Sequence, residues 1–322
     1  MSLPAVVTFW LYLIFLIPSI IFCIFCLYYF LTDSRFRKAL YNHVFVVILF
    51  FTLFYELTDI IWFIYYSHTG IVLSSTPMFC LIWIYVDYSG YVTILLLMSW
   101  AAIERHILIF HQNCMATLVK RFLFHYLPLI VFSIYPFIFY FVIFFVMPCD
   151  VPFNYRKQRC GHGFCLFNNV LVGIWDAIAD YIVPAFITII LSIALIIRVW
   201  YIKYRNGQRF QWKRYKKMTV QLISISFLYF VLYLPFLILN TAYTAGLSTD
   251  IGFDFFGTSA DLSYLIVLFI PFMCTISSPE LRRKFQKITR TCRRSRRIVG
   301  PAPLPVYHLR RDRVVKRTSS IH

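Results

Sequence analysis

The chain has 322 residues, of which 61% are hydrophobic, 20% aromatic and only 14% charged, and its formal net charge is +18. Soluble domains carry about 25% charged residues, so the composition excludes an ordinary soluble domain and indicates a membrane protein with several spans. The sequence contains no His-Glu-x-x-His, no Gly-x-Ser-x-Gly and no phosphate-binding loop, so we expect neither an enzyme nor a cofactor or metal site.

Seven apolar segments are each long enough to cross a bilayer as a helix, which takes about 20 residues. In chain order they are Ala5–Leu31, Asn42–Tyr66, Met78–Phe110, Arg121–Met147, Asn169–Tyr201, Lys216–Thr244 and Ala260–Ser278. Several contain prolines, which membrane helices tolerate because neighbouring groups satisfy the freed carbonyls. We therefore predict an all-α membrane protein, a seven-helix bundle.

Charge predicts the orientation of this bundle. All but three of the 31 Lys and Arg residues fall on one side of the predicted membrane, and the exceptions are Arg156, Lys157 and Arg159. Because basic residues concentrate on the cytoplasmic side, we expect the N-terminus outside and the C-terminus in the cytoplasm. Most acidic residues lie in the opposite, outer half. The basic inner face suits anionic membrane lipid and acidic cytosolic proteins rather than nucleic acid.

The segment after the seventh span predicts a helix on the membrane surface. Leu281, Phe285 and Ile288 recur at helical spacing between Arg and Lys residues, a pattern typical of an interfacial amphipathic helix over about 279–292. Cys292 at its end is a predicted palmitoylation site. We take 1–292 as the membrane domain and 293–322 as a basic disordered tail.

Four cysteines lie on the predicted outer side, where disulfides form. We expect one bridge from Cys80 to Cys165 or Cys160, which would tie the loop before the fifth helix to the third helix. Cys149 would take the remaining partner. The segment from Cys160 to Cys165 contains His162 and is also compatible with a metal site, although disulfides are the preferred interpretation.

The third helix carries the most specific pattern. Cys80 precedes Arg105 by 25 residues, roughly 37 Å of helix, which is slightly more than a membrane thickness. The matching features are Glu104-Arg105-His106, His111, the prolines Pro184, Pro235 and Pro271 of the last three helices, and Ser278-Pro-Glu280-Leu281-Arg282-Arg283. On these residues the chain resembles the rhodopsin-like (class A) G-protein-coupled receptors from Ala5 to about Cys292, and in particular divergent orphan receptors of invertebrate type. It departs from them at Tyr233 and Cys274, where the family has tryptophan and tyrosine.

The resemblance implies a plasma-membrane receptor that activates a heterotrimeric G protein, with arrestin as a further partner. The implied switch consists of Glu104, Arg105, His106, Pro235 and Pro271. Glu104 would restrain Arg105 through a charge-assisted hydrogen bond; the alternative is that Arg105 only snorkels to the interface. The base of the predicted sixth helix, 213–217, is basic and would repel Arg105, so we expect raised basal activity.

The resemblance also implies a ligand site in the outer half of the bundle. Asp87 precedes Arg105 by 18 residues, where amine receptors hold the ligand ammonium, and Tyr264 precedes Pro271 where those receptors have a tyrosine that orients the acid. Asp176 and Asp180 are one helical turn apart and share a face. The predicted ligand-binding residues are Asp59, Asp87, Tyr91, Asp176, Asp180, Tyr233, Asn240, Asp261 and Tyr264.

The acids of this site cannot all remain ionised and shielded from water, because burial and neighbouring like charges both favour the neutral form of a carboxyl group. A cationic ligand, such as a biogenic amine, a polyamine or a basic peptide, would neutralise them. Alternatively, Asp176 and Asp180 pair with the Arg156–Arg159 loop, while Glu56 and Asp59 form hydrogen bonds inside the bundle. A rival function is an ion- or proton-coupled transporter that uses the same acids. We prefer a receptor because the acids stop at the depth of Asp87 and no inverted repeat is visible.

Overall fold

The computed structural model of the chain describes residues 4–147, 152–161, 170–206, 227–248 and 251–298, and these contain helices but no β-strand. In chain order the long helices are α1 (Ala5–Thr32), α2 (Leu40–Thr69), α3 (Pro77–Phe110), α4 (Leu118–Val146), α5 (170–206), α6 (227–244), α7 (253–277) and α8 (Pro279–Ile298). Six of them, α1 to α5 and α7, are long and apolar enough to cross a membrane. The predicted helical membrane protein is confirmed at this level.

α6 is the shorter apolar helix, and its apolar part covers Tyr229–Tyr243. The predicted start of this helix at Lys216 and the basic segment 213–217 lie outside the described residues.

α7 begins earlier than the sequence predicted. It starts at Phe253 rather than Ala260 and is interrupted at Tyr264. The hydroxyls of Thr258 and Ser259 donate to backbone carbonyls one turn back, at 2.9 and 2.8 Å. Because these polar side chains bond to their own helix, a stretch that looked like a loop is helical.

α3 is the central helix. Of its most apolar stretch 78% is buried, against 28% for α1 and α4, and it packs against α2, α4 and α5, while α1 packs against α2 and α7. The side chain of Thr76 caps the start of α3 by accepting from the Phe79 amide, and Pro77 occupies the first turn, where its missing N–H costs nothing. α3 therefore carries residues of both predicted sites on one rigid element.

Five π-helical segments widen the described helices: Glu56–Ile60, Phe122–Tyr126, Val142–Val146, Asp176–Ile182 and Tyr229–Tyr233. The last four each end two residues before a proline. Proline has no N–H and its ring clashes with the carbonyl four residues earlier, so a wider turn ahead of it relieves the clash. Glu56–Ile60 has no such proline. It carries two acids, Glu56 and Asp59, both buried.

The chain divides into two compact units, Met1–Arg282 and Arg283–His322. α8 crosses this boundary and continues to Ile298, six residues beyond the predicted end of the amphipathic helix. The side chain of Cys292 lies outside the described part of α8, so palmitoylation there stays a prediction.

Candidate functional site

One disulfide joins the loop before α5 to the start of α3. It links Cys80 to Cys160, so the structure selects Cys160 over Cys165 among the two predicted partners. Cys149 and Cys165 lie outside the described residues. Among the residues described, no group of three His, Cys, Asp or Glu side chains could hold a metal ion, and the Cys160 sulfur is engaged in the disulfide.

The loop segment 152–161 is attached at two further points. The Val72 amide donates to the Tyr155 carbonyl at 3.1 Å, and the Tyr66 hydroxyl of α2 donates to the Arg156 carbonyl at 3.0 Å. Arg159 and Cys160 have φ of 50° and 56°, a left-handed conformation that costs a residue with a side chain about 1–2 kcal/mol. Such strain persists where surrounding contacts hold it, and here it directs the Arg159 side chain into the bundle.

Arg159 and Asp87 form an ion pair at this end of the bundle. The Arg159 Nε lies against the Asp87 Oδ2. The guanidinium also lies 5.0 Å from the centre of the Tyr264 ring, within cation–π range. Burial alone would lower the pKa of Arg159, but the charge of Asp87 outweighs it and the pKa is raised well above its ordinary value.

Asp87 is buried, and two tyrosines lie beside its carboxylate. The Tyr55 hydroxyl donates to Asp87 Oδ1 at 2.7 Å, and Tyr264 is a further hydrogen-bonding neighbour of the same carboxylate. The Tyr55 and Tyr264 rings are parallel within 9°, with centres 6.3 Å apart. Gly90 makes room for Tyr55, since a β-carbon there would lie only 2.7 Å from the Tyr55 ring.

Tyr91 and Tyr233 form the next layer below Asp87. The Tyr91 ring lies 5.1 Å from that of Tyr264 and 6.3 Å from that of Tyr233, and its hydroxyl donates to Ser263 at 3.3 Å. The Tyr233 hydroxyl is buried with no hydrogen-bond partner among the described residues. Both residues were predicted, and the structure brings them together with Tyr264.

The acids of α2 form hydrogen bonds inside the bundle, as the alternative interpretation expected. The Trp83 indole donates to Asp59 at 2.8 Å. The Ser19 hydroxyl contacts a Glu56 carboxyl oxygen and also the Leu268 carbonyl, the latter at 2.7 Å. The other Glu56 carboxyl oxygen, Oε2, is buried with no hydrogen-bond partner among the described residues.

Asp176 and Asp180 form a separate cluster with α4. The Tyr140 hydroxyl donates to Asp176, and Tyr135 lies 3.4 Å from Asp180. The alternative interpretation paired Asp176 and Asp180 with the Arg156–Arg159 loop. It is wrong for Arg159, which forms an ion pair with Asp87 instead.

The two remaining predicted residues lie on α6 and α7. Asn240 is half-buried about two turns beyond Tyr233, and the backbone carbonyl of Asp261 accepts from the Tyr12 hydroxyl.

The predicted Glu104–Arg105 hydrogen bond is wrong. Glu104 is paired with Nδ1 of His125 on α4. The Arg105 guanidinium instead lies 5.0 Å from the Phe45 ring and 5.5 Å from the Tyr41 ring, and its Nη1 and Nη2 are buried without a hydrogen-bond partner among the described residues. Two aromatic rings of α2 therefore contact the Arg105 guanidinium where the sequence predicted Glu104.

A chain of hydrogen bonds continues from Glu104. Nε2 of His125 lies 3.1 Å from Nδ1 of His43, and Nε2 of His43 lies 2.8 Å from the Arg37 carbonyl. Each of these contacts needs one proton between its two atoms, and the tautomers of the two histidines determine which atom donates.

The other switch residues have local roles. His106 donates from Nε2 to the Leu191 carbonyl of α5 at 2.7 Å, which ties α3 to α5. Pro235 follows the π-helical segment of α6. The Pro271 carbonyl of α7 accepts from Thr275 at 3.0 Å.

Sequence reasoning missed several residues that build the site: Arg159, Tyr55, Gly90, Trp83, Tyr140, His43 and His125. Arg159 had a usable signal. It is adjacent to Cys160, and Cys80 and Asp87 are about two turns apart on α3, so the Cys80–Cys160 alternative would have brought Arg159 within reach of Asp87. The tyrosines and histidines had no signal in a chain with 23 tyrosines and 8 histidines.

No protein-family model matches this chain, and no curated protein matches it either. The functional assignment therefore depends on the residues and on their geometry.

Proposed function

We propose that this chain is a receptor of the rhodopsin-like G-protein-coupled class. In this proposal seven helices span the plasma membrane, with the N-terminus outside and the C-terminus cytoplasmic. A cationic ligand, such as a biogenic amine, a polyamine or a basic peptide, binds at Asp87. The cytoplasmic end of α3, which carries Arg105, activates a heterotrimeric G protein. Arrestin is a further partner. One observation carries the proposal: a buried carboxylate with aromatic walls already holds a cation that belongs to a loop.

The Asp87 site has the chemistry of a cation site. Its carboxylate accepts charge-assisted contacts, and the Tyr264 ring adds a cation–π contact to the same guanidinium. Asp87 is 3% exposed and Arg159 is 19% exposed, so the acid is a fixed part of the bundle, whereas the arginine reaches it from the solvent side. A ligand ammonium would replace Arg159 on Asp87 without leaving the acid unpaired.

The contacts of Arg105 support a switch that is weakly restrained in the inactive state. Glu104 is held by His125, and Arg105 contacts only aromatic faces among the contacts described. An arginine without a carboxylate partner changes conformation at a lower cost than one held by a charge-assisted hydrogen bond. We therefore expect the receptor to signal without added ligand.

The test is G-protein activation in cells, measured at matched surface expression for the wild type, Arg105→Ala and Asp87→Asn. We expect a basal signal that Arg105→Ala abolishes. We also expect stimulation by cationic compounds that Asp87→Asn reduces at least tenfold in potency, the value of about 1.4 kcal/mol of lost ion pairing. Asp254→Asn, an exposed acid on α7, is the control.

Two outcomes would overturn the proposal. Potency unchanged in Asp87→Asn would remove the cation site. No signal from well-expressed wild type, together with an ion flux that depends on Asp87 or Glu56, would instead favour the transporter.

A further inference from the structure

A groove of about 430 Å³ lies on the side of the bundle, between α1, α2 and α4. Its walls are mostly apolar and include Phe30 of α1, Val46 of α2, and Ile130 and Ile134 of α4. Ile130 and Ile134 are about half exposed. Exposed apolar side chains on membrane-spanning helices face lipid, so this groove opens toward the acyl chains of a bilayer.

One end of the groove is basic. Arg37 and His43 belong to its lining, and none of the lining residues is an acid. Arg37 is exposed and follows Arg35 in the one-turn helix Ser34–Arg37, which Asp33 caps by accepting from the Arg35 amide at 3.0 Å. The Asp33 carboxylate thus serves the helix start and does not line the groove.

His43 also connects the groove to the interior. Its Nδ1 faces His125 and its Nε2 faces the Arg37 carbonyl. The groove therefore combines an apolar slot with the positive charge of Arg37 at its mouth.

We propose that this groove binds one anionic phospholipid. The headgroup phosphate pairs with the Arg37 guanidinium, and one acyl chain follows Phe30, Val46, Ile130 and Ile134. Charge complementarity selects this occupant over a sterol or a zwitterionic lipid, because a basic pocket at the edge of a membrane helix bundle favours an anionic headgroup. The site is independent of the receptor proposal, since neither Asp87 nor Arg105 takes part in it.

Native mass spectrometry of the full chain, released from micelles that contain equal amounts of phosphatidylglycerol and phosphatidylcholine, tests this proposal. We expect the wild type to retain one phosphatidylglycerol preferentially. Arg37→Gln should reduce this retention by about fivefold, the contribution of one basic side chain at an anionic surface. The matched control is Arg35→Gln, a second exposed arginine of the same short helix that does not line the groove, and it should retain the lipid.

A second pair of variants tests the apolar slot. Ile134→Trp fills the groove and should abolish retention, whereas Ile138→Trp, one turn further along α4 and outside this groove, should not. Equal retention of both lipids by the wild type, preference for an added sterol, or wild-type retention by Arg37→Gln would each overturn the proposal. Wild-type retention by Ile134→Trp would reduce the interaction to surface electrostatics and overturn it too.

Discussion

The Arg159 guanidinium lies against the Asp87 carboxylate, so a loop residue supplies the cation that pairs with this buried acid. The neighbouring Cys160 is bonded to Cys80, seven residues before Asp87 on the same helix. The disulfide and the ion pair are therefore two adjacent attachments of one loop to α3. The ion pair can break while the disulfide keeps the loop attached.

Removing Arg159 should destabilise the protein, because it leaves Asp87 without its ion partner. Arg159→Gln leaves a buried carboxylate without its ion partner, which we expect to cost about 1–3 kcal/mol, less than a fully buried pair because the arginine is partly exposed. Thermal unfolding in detergent measures the loss. Arg156→Gln, exposed in the same loop, should stay within about 0.5 kcal/mol of wild type.

Adding Asp87→Asn to Arg159→Gln should recover part of that loss, because no buried charge is then left unpaired. If the double variant is as unstable as the sum of the two single variants, the two residues are not coupled and the ion pair contributes no stability.

Gly90 should not tolerate a side chain. In Gly90→Ala the new β-carbon would meet the Tyr55 ring at 2.7 Å, so the ring must shift and its bond to Asp87 weakens. We expect a loss of about 1–3 kcal/mol, typical of overpacking. Gly257→Ala is the matched control, since nothing lies within 4 Å of its β-carbon and alanine favours a helix by about 0.5–1 kcal/mol. Shifts of the same sign in the two variants would contradict the packing described.

Two tyrosine hydroxyls should respond with different signs. Tyr55→Phe removes the donor to Asp87 at 2.7 Å, which we expect to cost about 1 kcal/mol or more. Tyr233→Phe removes a buried hydroxyl that has no partner among the described residues, so it should be neutral or stabilising. Differential scanning fluorimetry of the two variants separates them. A larger loss in Tyr233→Phe would show that its hydroxyl has a partner, such as an ordered water.

His125 should control the partner of Glu104. In His125→Leu the Glu104 carboxylate loses its partner, a change worth about 1–3 kcal/mol, and the next residue, Arg105, carries two buried Nη donors without a partner among the described residues. Under the receptor proposal, a new Glu104–Arg105 pair would lower basal G-protein activation. His68→Leu, an exposed histidine of α2, is the control. Unchanged stability together with unchanged basal signalling in His125→Leu would exclude this exchange.

Much of the fold was predictable because it follows from local chemistry. Apolar runs longer than a bilayer thickness predicted the membrane-spanning helices, and most of their ends lie within a few residues of the predicted ones. The start of α7 was wrong because Thr258 and Ser259 satisfy themselves on their own helix. Asp87, Tyr91, Tyr233 and Tyr264 were predicted as one site and do lie together.

The partners of charged residues were less predictable. Glu104 precedes Arg105 in the sequence, yet adjacent helical residues point in different directions, and the carboxylate faces α4 and His125. Asp176 and Asp180 were expected to face the ligand or the loop, but they meet the hydroxyls of Tyr140 and Tyr135. These pairings depend on the rotation of one helix against another, which no single segment encodes.

The π-helical segments show which features the sequence determined by itself and which depended on the tertiary structure. Three of them end two residues before the helical prolines Pro128, Pro184 and Pro235, where the missing N–H and the ring favour a wider turn, whereas Pro18, Pro136 and Pro271 lie inside α-helix without one. The segment Glu56–Ile60 has no proline and carries Glu56 and Asp59 toward Ser19 and Trp83 on other helices. Only the tertiary structure decided that widening, because two buried acids must find hydrogen-bond partners that other parts of the chain supply.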